Sequence, residues 1–211
     1  MKKTFIKIWL FLFFVFALNA ADTNKGENTL KALSLLYPTI GHNYSSLYPG
    51  IGMLSSGDYL TFLGANIHLG ASYYLEACLG GGKAPVDKST LSFVSMGLGL
   101  YDEFKNQEDL FYSLGLSIRN FNALSFDSPT LMLELMVEQK FMATYLGLGL
   151  ELISQDYEFY DEGYFSVQSD RIYHMAFIAY LRSTPINLRA CAAAGSISFT
   201  CSWTLNMEKA I

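Results

Sequence analysis

Residues 63–79 read Leu-Gly-Ala-Asn-Ile-His-Leu-Gly-Ala-Ser-Tyr-Tyr-Leu-Glu-Ala-Cys-Leu. Every odd position is apolar: Leu63, Ala65, Ile67, Leu69, Ala71, Tyr73, Leu75, Ala77 and Leu79. The even positions are Gly64, Asn66, His68, Gly70, Ser72, Tyr74, Glu76 and Cys78. Successive side chains of a strand point to opposite faces, so this period of two predicts one oily face and one small, polar face.

The pattern recurs along the chain. Val94, Met96, Leu98 and Leu100 alternate with Ser95, Gly97 and Gly99, and Leu110, Tyr112, Leu114, Leu116 and Ile118 with Phe111, Ser113, Gly115, Ser117 and Arg119. Leu131, Leu133, Leu135 and Val137 oppose Met132, Glu134, Met136 and Glu138. Even positions 142–152 oppose Ala143, Tyr145, Gly147, Gly149 and Glu151. Residues 197–207 alternate Ile, Phe, Cys, Trp, Leu and Met with Ser, Thr and Asn. Segment 171–182 is less regular, because Ile172, Ala176 and Ile178 interrupt its polar face. None of these oily positions is charged. The other face is rich in Gly, Ser, Thr and Ala rather than the Lys, Glu and Arg of a water-facing sheet. Small residues suit strands curving around a narrow, crowded interior, which predicts a barrel.

The N-terminus supplies a compartment. Lys2, Lys3 and Lys7 precede an apolar run from Ile8 to Leu18 and then Asn19-Ala20-Ala21-Asp22. This reads as a secretory signal peptide over residues 1–20, cleaved after Ala20 with Ala21 as the alternative, followed by one β-barrel domain over 21–211. The run is shorter than the ~20 apolar residues of a spanning helix. Those twenty residues hold three of the fourteen basic residues and none of the nineteen acidic ones, leaving a formal charge of -8. Charged residues are 16% of the chain against 51% hydrophobic ones, where ordinary soluble domains carry ~25% charged residues. An exported, apolar chain without a spanning helix fits a closed barrel, the other way to satisfy every backbone hydrogen bond in lipid. The acidic balance and the lack of a basic cluster exclude nucleic acid as the partner.

Turn signals divide the chain. Glu138-Gln139-Lys140 and Ser183-Thr184-Pro185 read as tight connections, and residues 80–89 and 153–170 as longer polar loops. A parity switch near Gly195 separates segments 186–194 and 197–207 by a turn or a bulge. With the turn there are nine segments, one of them within 29–40, where residues 28–37 also fit helical spacing. Barrels of this kind have even strand numbers, so either residues 45–56 supply a tenth strand or two segments merge to give eight.

The signal peptide, the alternating ten-residue segments and the aromatics near segment ends resemble small bacterial outer-membrane β-barrel proteins. The resemblance is architectural and spans roughly residues 29–207. It implies an all-β, antiparallel up-and-down transmembrane barrel of eight to ten strands in a Gram-negative outer membrane. It also implies contact with outer-membrane lipid and lipopolysaccharide, and assembly by the barrel assembly machinery; oligomeric state stays open. The chain departs from the aromatic terminal residue common in such proteins: Met207 is followed by Glu208-Lys209-Ala210-Ile211, leaving Phe199, Trp203 and Ile211 as substitutes.

The inward positions hold His68, Glu76, Arg119, Glu134, Glu151, His174, Arg182 and Arg189, expected as a polar network in the lumen. Unpaired buried charge is costly, so these groups should pair, either as a static plug or as the lining of a gate. On one extended strand His68 and Glu76 lie about 26 Å apart and form no common site. His174 is placed to meet Glu134 or Glu151 across strands. The layout resembles small outer-membrane lipid A deacylases, which pair a histidine with a serine two residues on. Here the positions read His174-Met175-Ala176 and His68-Leu69-Gly70, without the nucleophile. No enzyme activity is therefore expected, and no grouped His and Cys spacing suggests a metal or cofactor. Gly80-Gly81-Gly82-Lys83 lacks the rest of a phosphate loop and reads as a loop tip. With the parity switch near Gly195, Cys191 falls on the inward face and Cys201 on the outward face, which forbids a disulfide between them. Asp156, Glu158, Asp161, Glu162 and Asp170, interleaved with aromatics, are expected as an acidic surface loop. Three roles follow: a structural or interaction barrel with at most a narrow solute pore, a lipid-modifying enzyme, or a soluble periplasmic lipocalin-like carrier with its oily face inward.

Overall fold

The computed structural model describes residues 45–54, 59–70, 72–83, 90–105, 107–121, 130–161, 166–183, 185–193 and 196–207. Eleven strands follow in chain order: β1 (Ser46–Leu54), β2 (Tyr59–Leu69), β3 (Tyr73–Lys83), β4 (Thr90–Glu103), β5 (Leu110–Phe121), β6 (Thr130–Phe141), β7 (Thr144–Asp161), β8 (Ser166–Ser183), β9 (Ile186–Ala193), β10 (Ser196–Trp203) and β11 (Leu205–Asn206). From β1 to β10 each strand pairs antiparallel with its sequence neighbour, and β1 also pairs with β10 (Gly50 opposite Ser202) and with β11 (Leu47 opposite Leu205). β11 continues β10 after a break at Thr204, so the sheet closes as a ten-stranded up-and-down barrel.

The tenth strand comes from residues 45–56, as one of the two expectations had it. The segment expected within 29–40, and its helical alternative, lie outside the described residues. The count is kept at ten because 63–79 is not one strand but the hairpin β2–β3. Leu69 pairs directly with Tyr73, so three residues turn the chain and the odd parity continues unbroken across the turn. Gly70 takes φ 71° there, a backbone conformation that glycine adopts without a Cβ penalty.

Other boundaries move as well. Glu138-Gln139-Lys140 is not a connection but the end of β6; the chain turns at Met142 and Ala143, between paired Phe141 and Thr144. Gly80–Lys83 is not a loop tip but the end of β3, paired to β2 and β4. Residues 153–170 are not a polar loop: β7 and β8 continue as a paired ribbon to Asp161 opposite Ser166. The connection at 184–185 and the turn between β9 and β10 stand where the sequence put them.

The alternation resolves into an inside and an outside. Ile67, Leu75, Leu98, Leu116, Leu133, Leu152 and Met175 form one row of register partners across β2 to β8, all pointing outward. Leu98 is 59% exposed and Leu116 52%. A lower row starts at Tyr112 and runs through Val137, Leu148, Ala179, Ala190, Phe199 and Met53 to Tyr59. It begins near one end of the barrel and finishes near the other, which is the strand tilt that closure requires.

The inward face explains the small residues. Gly64, Gly50, Gly80, Gly99 and Gly147 are register partners of Tyr48, Phe62, Phe93, Tyr74 and Tyr180 respectively. A Cβ built on any of these glycines would come within 2.0–2.4 Å of its partner's ring. Each missing side chain is the seat of an aromatic one, and cross-strand seating of this kind pins register. Met132, Ile153, Ala176 and Ile178 fill further inward positions. Ala176 and Ile178, which interrupted the polar face of β8, are therefore interior packing, and the side chain of Ile172 lies outside the described residues.

Candidate functional site

The lumen holds seven fully buried charged side chains among the described residues: Glu76, Arg119, Glu134, Glu138, Glu151, Arg182 and Arg189. They arrive from six strands because each occupies an inward parity position, and they fall into two layers.

The layer nearer the tight turns centres on Arg182 of β8. Its Nη2 donates to Glu138 Oε2 at 2.9 Å and to the Tyr101 hydroxyl at 3.1 Å. The Tyr101 hydroxyl in turn donates to Glu138 Oε2 at 2.8 Å. The guanidinium also lies 4.1 Å from the centroid of the Tyr145 ring, a cation–π contact in a desolvated setting. Phe111 stacks on Tyr101 at 5.5 Å and meets Tyr145 at 5.8 Å, so aromatic rings box the ion pair on two sides. The β4–β5 connection braces this end: Lys140 N and Gln139 Nε2 both donate to Asp109 O.

The middle layer centres on Arg189 of β9. Its Nη2 lies 3.2 Å from Glu134 Oε2 and 3.6 Å from Glu151 Oε2. Glu134 and Glu151 are themselves direct register partners on β6 and β7. Glu76 on β3 accepts a hydrogen bond from the Tyr48 hydroxyl of β1. Arg119 donates to the Met132 sulfur and acts electrostatically on Glu151. Among the described residues the interior thus combines four carboxyl groups with three guanidinium groups, and it is tightly packed at this depth: Glu151, Ala176, Tyr48 and Asn66 are each 0% exposed.

Six of the eight expected lumen residues therefore meet as buried ionic layers. His68 shares their face but sits near the turn end of β2, half-buried, with its backbone N–H donating to Ser45 Oγ. The expected 26 Å separation of His68 from Glu76 is overturned by the hairpin. His68 opposes Tyr74 and Asn66 opposes Glu76, so the two are diagonal neighbours, ~7–8 Å apart at Cα for such pairs. His174 stands on β8 opposite Ile153; its side chain, and with it the expected meeting with Glu134 or Glu151, lies outside the described residues.

Of the acidic residues, Asp156 opposes Arg171, Tyr157 opposes Asp170, Glu158 opposes Ser169 and Asp161 opposes Ser166. They are strand positions of the β7–β8 ribbon rather than loop positions, and Glu162 lies outside the described residues. Cys191 is buried inside and Cys201 exposed outside, both free thiols on opposite faces of the wall.

Glu138, Tyr101 and Tyr48 belong to these layers although the sequence did not single them out as site residues. Glu138 shares the parity of Glu134, which is the signal that could have found it. No protein-family model matches the chain, and no curated protein matches it.

Proposed function

We propose that this chain is an outer-membrane β-barrel of a Gram-negative bacterium, exported by residues 1–20, with a structural or interaction role and a lumen plugged by its two ionic layers. The observation that carries the reading is the outward row from Ile67 to Met175. Seven neighbouring strands present apolar side chains in register, without a charge, on the exposed surface. A patch of that extent exceeds what soluble monomers leave to water, and it matches the apolar band of a barrel in lipid. Exposed Tyr73, Phe104, Phe141 and Trp203 ring the tight-turn end, with Tyr59, Tyr173 and Phe199 toward the other. Aromatic girdles flank the lipid-facing band of such barrels. A carrier of the lipocalin type needs room for its ligand inside, whereas here the described interior is filled by the ionic layers and by packed side chains such as Phe62, Phe93, Met132 and Ile178. The same filling favours a closed plug over a solute pore.

In this reading the outward face meets outer-membrane lipid and lipopolysaccharide, and the barrel assembly machinery inserts it. The test is expression with the native leader, followed by fractionation and gel mobility of unheated and boiled samples. The reading expects a mature chain beginning near residue 21, recovered with outer membrane, needing detergent and shifting mobility on boiling. Recovery as a detergent-free periplasmic protein with one mobility contradicts it.

A further inference from the structure

We infer that the barrel wall parts sideways between β1 and β10, at Tyr48-Pro49 against Trp203-Thr204, while its other pairings hold. This closing pairing is the interrupted one. Gly50–Leu54 pairs with Ser202–Ser198, and Ser46–Leu47 with Asn206–Leu205. Counting on from Gly50 opposite Ser202 puts Pro49 opposite Trp203 and Tyr48 opposite Thr204, and the count returns to Leu47 opposite Leu205. The register is thus unchanged across the gap, yet the two positions in it are unpaired. Among the described residues, every other strand pairing runs without a break.

The cause lies in one residue. The backbone groups of an antiparallel strand turn alternately to one neighbour and to the other. Along β10 and β11 the even residues serve β9 and the odd ones β1: Thr204 N donates to Pro185 O, just before β9, and Met207 N to Ser45 O, just before β1. Trp203 therefore turns its N–H and C=O toward β1, where Pro49 stands. Proline has no N–H to return, so one bond is missing in the middle of the seam. Within sheets proline belongs to edges, and β1 treats its β10 side as one.

Packing points the same way. The aromatic seats that pin register join β1 to β2, β3 to β4 and β7 to β8. Across the seam the inward partners are small, Gly50 with Ser202 and Gly52 with Thr200. Once parted, this stretch joins the interior beside buried Tyr48 and Ser202 to the outer wall at exposed Trp203. In the lipid-facing reading the slot opens into the bilayer near the tight-turn end; the parting itself does not rest on that reading.

The test is amide hydrogen exchange of the folded full chain in detergent micelles, read residue by residue by NMR. β10 carries its own control, because its odd amides bond across the seam and its even ones to β9. The amides of Cys201 and Trp203 should exchange roughly ten-fold faster than those of Thr200 and Ser202, the scale set by one missing hydrogen bond. Equal rates along β10 overturn the inference, and that result needs no variant to fold. Cys201, a free thiol, has Ile51 as its register partner across the seam and Leu188 as its partner on β9, all three exposed on the outer wall. Such partners lie within disulfide reach. Oxidising Ile51→Cys against Cys201 should remove the difference and reduction restore it, whereas oxidising Leu188→Cys against Cys201 should leave it. Pro49→Ala, which returns the missing N–H, should close most of it. A difference left whole by the seam disulfide or by Pro49→Ala, or removed by the β9 disulfide, overturns the inference equally.

Discussion

The Tyr48 ring occupies the space that its register partner Gly64 leaves empty: a Cβ on Gly64 would lie 2.0 Å from a ring carbon. The same tyrosine donates to Glu76, so a glycine on β2 positions the hydroxyl that holds a buried carboxylate on β3. Gly64→Val should therefore disturb both packing and polarity. Overpacking of this kind costs ~1–3 kcal/mol. Chemical unfolding of the refolded barrel should show a lowered midpoint, while Ala65→Val, on the outward face beside it, should leave the midpoint nearly unchanged.

Arg182 joins Glu138, Tyr101 and the Tyr145 ring. Arg182→Gln leaves Glu138 buried without its counter-charge, and breaking a buried pair from one side costs ~3–5 kcal/mol. Arg182→Lys should recover little, because an ammonium cannot lie over Tyr145 and reach both oxygens as the planar fork does. The double variant Arg182→Gln with Glu138→Gln should lose less than the sum of the two single changes. Additive losses in that double-mutant cycle would dissolve the layer as an energetic unit.

Depth should govern the outward face. Leu116→Arg, at the middle of β5, should cost ~2–4 kcal/mol in lipid, and Leu69→Arg, at the turn end of β2, only ~0–1 kcal/mol. Folding free energies in vesicles check the gradient. Equal costs at the two positions would mean that the face meets no bilayer.

Met142 takes φ 57° in a two-residue turn and is 96% exposed. Left-handed backbone costs an L-residue ~1–2 kcal/mol, and hairpin turns of this length favour glycine there. Met142→Gly should raise the unfolding midpoint without changing the closed barrel, a change readable by heat-shifted gel mobility.

The alternation of Leu110–Arg119 and Ile197–Met207 made strands, faces and the inward ionic set legible in the sequence, because lipid-like outside and crowded inside leave opposite compositions. What stayed hidden has identifiable causes. Three turn residues between Leu69 and Tyr73 preserve parity, so a hairpin looks like one strand. Glu138-Gln139-Lys140 resembles a turn by polarity, which displaced Glu138 from the network it belongs to. Pro49, Gly50 and Gly52 mask β1, although Gly50 is the seat of the Phe62 ring of β2. The acidic residues of 156–161 suggested a loop, yet a ribbon beyond the apolar belt can be polar on both faces and still pair. Pairing across the lumen, such as Arg189 with Glu134, depends on barrel size and tilt, which no local pattern encodes.

The central claim is that the outward apolar face meets lipid, and tryptophan fluorescence with brominated lipids tests it most directly. The chain has two tryptophans, Trp9 and Trp203, so a chain starting at residue 21 carries only Trp203, outward near the tight-turn end. Trp203 should be quenched most by bromines near the headgroups, and a Leu116→Trp reporter in a Trp203→Phe background by bromines deep in the acyl chains. If neither responds to brominated lipid while aqueous iodide quenches both, the outward face does not meet a bilayer.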